Sequence, residues 1–408
     1  MKLSPVLSRR AMLEASCSAV TVLGASSLSL DAVAEPPALP ADLLWKDPLS
    51  VLIHNALTVE TLRSGLGGGV ITPTRRLFVR NNLSSPPGTI LQDADAWSLA
   101  VSGVKTPAQL TLGQLKMMGL EMLAMVLQCS GNGRQFFQHQ PAGTPWKVGG
   151  AGCVIWTGVP VRDVVRALGG VDGRACYMTG TGGEIIPEGI DLDTLRVERS
   201  VPLTALDTAL LAWELNGEPI PLVHGGPLRL IVPGYYAVNS IKHIKQLAFT
   251  PIQSGADIQQ SRYRMAPIGE SGNAQQPSAW EMSPKSWITS PDADGGPVRS
   301  GEVWVTGVAM GGMNALARVD ITLDDGKTWQ QADFVGPNLG RFAWRIFTLK
   351  VVLRSGTQRI ASRCRDINGV DQMEFRIENT DGYLNSSWRD HGIELQVLNP
   401  CANVPRAY

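Results

Sequence analysis

The sequence predicts an α+β protein in two parts, a mixed α/β domain followed by an all-β sandwich. Three observations carry this. A stretch rich in Pro, Gly, Ser and Asn, Ala266 to Gln276, interrupts the chain and reads as a connector. Downstream of it, short apolar runs recur between turn signals, with no convincing helical period. Upstream, strand-like runs are mixed with two short segments that carry helix start and stop signals. The expected boundaries are 1–34 for a leader, 35–276 for the first domain and 277–408 for the second.

In chain order, Ser8-Arg9-Arg10-Ala11-Met12-Leu13 precedes an apolar, small-residue stretch from Ala15 to Leu30 and a small-x-small site at Ala32-Val33-Ala34. This reads as a twin-arginine export signal, too short and too rich in Ser and Ala for a membrane span. It places the mature chain in the periplasm, folded before export. Glu35 to Pro48 is proline-rich and reads as an arm. Leu77 to Asn82 reads as a strand entering a loop, and Trp97 to Val104 as another strand. Thr111 is an N-cap for a helix to Met118, closed by Gly119. A strand leads to Cys129, and Gln135 to Gly150 is a loop carrying Trp146. Val154 to Trp156 is strand-like. Val161 to Leu168 reads as a helix between Pro160 and Gly169. Ala209 to Leu215 runs into the hairpin signal Asn216-Gly217. Leu228 to Val232 reads as buried, and Ser240 to Phe249 alternates. In the second part, 302–308, 317–323, 343–352, 359–365, 373–377 and 393–398 read as strands, with Asp325-Gly326 and Asn368-Gly369 as turns.

The 408 residues carry zero formal net charge, which argues against a nucleic-acid surface. Losing the leader removes Lys2, Arg9 and Arg10 with Glu14 and Asp31, and leaves the remainder within one charge of neutral. Cys17 leaves with the leader. Cys129, Cys153, Cys176, Cys364 and Cys401 remain, an odd number, so at least one thiol is free or occupied. How Cys153, Cys176, Cys364 and Cys401 pair is left open. There is no Cys-x-x-Cys and no Cys-x-x-Cys-His, so neither a zinc ribbon nor an attached haem is expected.

The chain is organised around Met125 to Arg134. An apolar strand ends in Cys129, a Ser-Gly-Asn-Gly loop doubles back, and Arg134 closes it. A cysteine delivered at a strand end beside a cation is a nucleophile or a soft metal ligand; the alternative is a buried strand-end cysteine or half of a disulfide.

Gln128-Cys129-Ser130-Gly131-Asn132-Gly133-Arg134 resembles the molybdenum-ligating loop of the sulfite oxidase family. Further segments resemble the family in order: Phe78-Val79-Arg80-Asn81-Asn82; Pro145-Trp146 with Gly149 and Trp156; Leu215-Asn216-Gly217; His224-Gly225-Gly226-Pro227-Leu228-Arg229; Val232-Pro233-Gly234; Ser240-Ile241-Lys242; and Asp324 to Trp329. The resemblance implies a molybdopterin cofactor in the first domain, an immunoglobulin-like second domain that forms a homodimer, and sulfite oxidation to sulfate with electrons passed to a separate cytochrome c. It implies Cys129 as the metal ligand. Phe78, Arg80, Asn81, Asn82, His224, Arg229, Ser240 and Lys242 would bind the cofactor. Arg80 and Arg134 would face the sulfite dianion, Trp146 would wall the pocket, and Tyr263 would be the active-site tyrosine, with Tyr235 and Tyr236 as rivals. No haem is expected in this chain.

Two positions depart from the family. Asn82 stands where eukaryotic members have histidine. No second-domain arginine can be placed in the pocket, since Asp381 aligns there and Arg389 lies beyond it. Two other readings compete: an exported molybdopterin reductase of methionine sulfoxides, which should lack the sandwich, and a non-catalytic periplasmic binding protein, which should lack molybdenum.

Overall fold

A computed structural model describes residues 39–399, so the leader and Cys401 lie outside the described residues. The first part holds three sheets. β1 (Val51–Asn55), β2 (Thr58–Thr61) and β3 (Val79–Arg80) form a small antiparallel sheet. β4 (Ser98–Ser102) and β5 (Ala108–Thr111) precede helix α1 (Leu112–Lys116). Thr111 caps this helix through a reciprocal box with Gln114, as the sequence predicts. β6 (Glu121–Gln128) pairs along its whole length with β7 (Ala151–Pro160), which runs into helix α2 (Val161–Ala167). β8 (Tyr177–Thr181), β9 (Glu198–Pro202), β10 (Leu210–Leu215), β11 (Glu218–Pro219), β12 (Arg229–Ile231) and β13 (Gln246–Thr250) follow. They complete two five-stranded sheets. One has the order β11-β10-β7-β6, with β12 also on β10; the other has the order β5-β4-β13-β8-β9. Asn216 and Gly217, both at positive φ, make the β10–β11 turn.

The second part is a sandwich. β14 (Lys285–Ser290), β15 (Val298–Arg299), β16 (Gly301–Met310), β17 (Leu316–Thr322), β18 (Gln330–Gln331), β19 (Asp333–Val335), β20 (Arg345–Leu353), β21 (Gly356–Asp366) and β22 (Ile393–Leu398) form two sheets, β14-β16-β20-β19 and β15-β22-β21-β17-β18. Val305, Val319, Phe347, Ile360 and Leu395 pack between them. No helix among the described residues is long and apolar enough to cross a membrane.

A further cluster joins the two parts. Val126, Ala151 and Cys153 of the first pack with Trp287, Val308 and Trp344 of the second. Trp344 Nε1 donates to Val70 O at 2.6 Å, and Arg63 Nη1 to Ile288 O at 2.6 Å.

Two expectations are corrected. Of the alternating stretch 240–249, only Gln246 onward is strand; residues 240–245 turn past the cleft described below and give it three polar side chains. Met373 to Ile377 forms no strand. Its carbonyls are taken by the turn of helix that follows, Met373 O by Trp388 N and Glu374 O by Ser387 Oγ. Ion pairs from Glu374 to Arg389 and from Arg376 to Asp390 hold it there, and Met373, Phe375 and Ile377 are left exposed. The strands at 51–61, 177–202 and 285–290 carry no distinctive sequence signal.

Candidate active site

Cys129 leaves the end of β6 held by Cys129 N donating to Gly150 O at 2.8 Å, with Asn132 N donating back to Cys129 O at 3.0 Å. Asn132 Oδ1 accepts from Gly150 N, and Asn132 Nδ2 donates to Gln128 Oε1. The loop is thus fixed by two hydrogen bonds to Gly150, the residue before β7. A Cβ at Gly131 would lie 2.6 Å from the Arg134 guanidinium, so a side chain there would have to displace it. Cys129 is half-buried and opens on a cleft of about 750 Å3.

That cleft gathers ten of the residues that the sequence points to: Phe78, Arg80, Asn81, Asn82, Cys129, His224, Arg229, Ser240, Lys242 and Tyr263. Its floor is a cradle of cations, Arg229 buried and Lys242 half-buried. Lys242 Nζ donates only to neutral oxygens, those of Arg80 O, Asn81 Oδ1 and Val223 O. Burial pushes its ammonium well below the usual lysine range, with Arg229 adding to the effect. Arg229 donates to His224 O at 2.8 Å and Ser240 O at 3.3 Å and lies over Trp156; burial lowers it to about 9. His224 Nε2 meets Lys46 Nζ at 2.9 Å, and burial keeps the imidazole neutral. Lys46 itself is lowered to about 7 by burial. Ser240 Oγ accepts from Val232 N at 3.1 Å, which leaves its hydroxyl proton available.

Sequence reasoning missed four residues here. His243 and Ser130 line the cleft, and Lys46 stands behind it. Glu184 also lines it, and burial raises its carboxyl to about 7 despite Lys242 and Arg229. Glu184 follows Gly182-Gly183 in irregular chain after β8, with no motif to mark it.

Two predicted pocket residues lie elsewhere. Arg134 does not line the cleft: its Nε donates to Asp381 O at 2.8 Å and its Nη1 to Thr144 O at 3.0 Å. Trp146 is fully buried behind the cleft, edge-on to Phe78 at 5.8 Å and to His54 at 5.5 Å. Both shape the wall through their neighbours, because each is packed against the chain on its outer side.

Tyr263 does reach the cleft, held at φ +56, a region costly for an aromatic residue. A ladder holds it there. Arg134 lies over Tyr383 at 5.2 Å, Tyr383 stacks on Tyr263 at 5.1 Å with 20° between planes, and Arg199 covers the far side at 5.7 Å. The flanking arginines are engaged elsewhere: Arg262 pairs with Asp257 beside a neighbouring opening, and Arg264 donates to Gln259 O. Tyr235 and Tyr236 do not line the cleft. Tyr235 bonds Glu281, and Tyr236 is buried in the core that joins the two parts. Asp381, half-buried near Arg134, stands where the resemblance leads one to look for a cation; burial raises its carboxyl.

The cleft fits an anionic cofactor. Glu184 Oε2 and Ser130 Oγ are buried with no hydrogen-bond partner, and the cations below them have no carboxylate ion pair among the described residues. No trio of His, Cys, Asp or Glu converges among those residues, so a protein-only metal cage is not formed. One cysteine above a phosphate-sized cradle suits a metal brought in on a phosphorylated organic ligand.

Residues 87–256 match the oxidoreductase molybdopterin-binding domain, and residues 276–396 the Mo-co oxidoreductase dimerisation domain. The chain is 29% identical over 393 residues to mitochondrial sulfite oxidase of Rattus norvegicus, covering 89% of this chain and 69% of that one. The chain belongs to the sulfite oxidase family of molybdoenzymes. The Homo sapiens relative is 30% identical over 349 residues, 80% of this chain and 62% of its own length. The family match also reaches the NAD(P)H nitrate reductase of Hordeum vulgare, 29% identical over 361 residues, 81% of this chain and 40% of that one. In fold, the chain superposes on the sulfane dehydrogenase SoxCD of Paracoccus pantotrophus with a TM-score of 0.70 at 22% identity, covering 93% and 96% of the two chains.

For this family member the cradle makes a prediction that needs no cofactor. Sulfate should raise the melting temperature of the metal-free protein, and at 100 times its Kd the gain is about 2.7 kcal/mol. Burial lowers the lysine pKa values, Lys46 to about 7, so the cradle carries its full charge only below that pH. Sulfate stays dianionic throughout and binds the charged form. The shift should therefore be larger at pH 6 than at pH 9. Equal shifts at both pH values, measured by differential scanning fluorimetry, would place the anion elsewhere.

Proposed function

We propose that the chain oxidises sulfite to sulfate and passes the electrons to an external cytochrome c, as an exported periplasmic homodimer. The observation that carries this is the free Cys129 thiol opening onto a cleft whose charged floor is almost wholly cationic. The molybdenum–molybdopterin group, bound through Cys129 and the cradle, would supply the two-electron oxygen-transfer chemistry. His224, Arg229, Ser240 and Lys242 would hold its phosphate, with Glu184 and Ser130 meeting its polar edges. Arg80 lies where this cleft meets a second opening lined by Arg262, Tyr263 and Tyr383. Its guanidinium is suited to orient a small oxyanion entering there. Tyr263, fixed by the Tyr383 stack, would offer its hydroxyl to the reacting oxygen. Purified protein should contain molybdenum and reduce cytochrome c only when sulfite is added. A metal-free, inactive preparation would leave the binding-protein reading.

Arg80→Gln should raise the sulfite KM about 10–100-fold with a smaller fall in kcat, the loss of a charged hydrogen bond worth about 1.5–3 kcal/mol. Steady-state kinetics with an unchanged KM would remove Arg80 from the substrate.

A second reading has its own support. Arg134 stays out of the cleft, donating to two backbone carbonyls, and Asp381 adds a carboxyl beside it, so the entrance has Arg80 and Arg262 but not the further cation that a sulfite dianion would favour. A sulfane sulfur compound, the substrate class in the name of the structural relative, carries less charge at the reacting atom. Comparing sulfite with a persulfide as electron donor discriminates the two.

A further inference from the structure

The loop that carries Cys129 is gripped by the second part of the chain at four of the five residues from Ser130 to Arg134. Leu384 N donates to Ser130 O at 2.8 Å, and Lys285 Nζ to Asn132 O at 3.2 Å. Asn385 Nδ2 donates to Gly133 O at 3.0 Å, and Arg134 Nε to Asp381 O at 2.8 Å. Gly133 is at φ +96, where a side chain is strained, and a Cβ there would also press on His391 Nε2 at 3.1 Å. Main-chain and amide contacts of this kind are ordinary packing between two parts of a chain. Lys285 is different.

Lys285 is the first residue of β14, and its side chain is fully buried. Its ammonium has no carboxylate within ion-pair distance among the described residues. It donates instead to two neutral carbonyls, Asn132 O in the Cys129 loop and Asn385 O at 2.7 Å in the gripping segment, and lies 5.8 Å from the Trp287 ring. Asp390, Cys129 and His391 are the titratable groups that face it. Burying a lysine without a carboxylate partner is costly, and a methionine would fill the same space at less cost to stability. The side chain does one thing a methionine cannot: it ties the carbonyl of Asn132, three residues past Cys129, to the loop that carries Tyr383.

We propose that Lys285 is a positioning residue that fixes the metal-ligating loop against the second domain, so that Cys129 and the Tyr263–Tyr383 stack keep one mutual geometry. The proposal rests on Cys129 being the molybdenum ligand. Groups that orient a metal ligand from behind typically matter about 10–100-fold in activity or affinity.

The test compares full-length, cofactor-loaded Lys285→Met with wild type. The variant should keep its far-UV circular dichroism, lose about tenfold in kcat at near-constant KM, and show altered g-values in the Mo(V) electron paramagnetic resonance spectrum. Amide exchange in the peptide spanning residues 129–137 should quicken about tenfold, the loss of one hydrogen bond, with the β16–β20 pair unchanged. Lys285→Gln, which keeps a donor, should recover part of each change. Wild-type kcat, g-values and exchange in Lys285→Met would overturn the proposal. Should Lys285→Met fail to fold, a wild-type spectrum and wild-type loop exchange in Lys285→Gln would overturn it as well. A wild-type protein without molybdenum would refute the sulfite reading instead, while loop exchange would still judge Lys285.

Discussion

Cys129→Ser should yield a folded protein that does not turn over sulfite. The substitution removes one sulfur and changes almost nothing else, because the loop is held by its backbone and by Asn132 rather than by the thiol. A neutral hydroxyl is a poor match for a soft metal. The loss should therefore appear in kcat, with activity down to background, while circular dichroism and the melting temperature stay near wild type. The sulfate-dependent melting shift should persist, since the cradle is intact. Sulfite turnover at wild-type rate in this variant would remove Cys129 from the metal.

Arg229→Met should act at the other end of the same cleft. Arg229 is fully buried, and among the described residues its hydrogen-bond acceptors are His224 O and Ser240 O alone, so its charge is available to an anion bound beside them. Removing it deletes a charged hydrogen bond of about 1.5–3 kcal/mol, which is about 10–100-fold in cofactor affinity. The purified variant should hold correspondingly less molybdenum and show a smaller sulfate-induced shift. Normal metal content, measured by elemental analysis, would show that the phosphate is held elsewhere. The two variants separate the roles, since the serine variant keeps anion binding and the methionine variant loses it.

The parts of the site legible in the sequence are those built from contiguous residues. Phe78 to Asn82, Gln128 to Arg134, His224 to Arg229 and Ser240 to Lys242 each place polar groups within a few positions, the second and third with glycines between them, and the fold then brings them together. What escaped was set by tertiary packing. Glu184 is a lone acid whose meaning comes from Lys242 and Arg229, far away in sequence. Tyr383 and Lys285 come from the second part of the chain and act on residues of the first. Arg134 and Trp146 carry the residue types an oxyanion pocket needs, yet backbone carbonyls and aromatic neighbours claim them. The failed strand at 373–377 has the same cause: its alternation is real, but the neighbour it finds is a helix turn, so its pattern lies on the surface.

The cluster in which Val126 and Cys153 meet Trp287 and Trp344 bears on any attempt to pare the protein down. A chain severed near residue 276 would present that greasy seam to water and would forfeit the fastenings that the second part puts on the Cys129 turn. Such a fragment is a poor guide to the intact enzyme, and the smallest unit worth engineering is the two-part body as a whole.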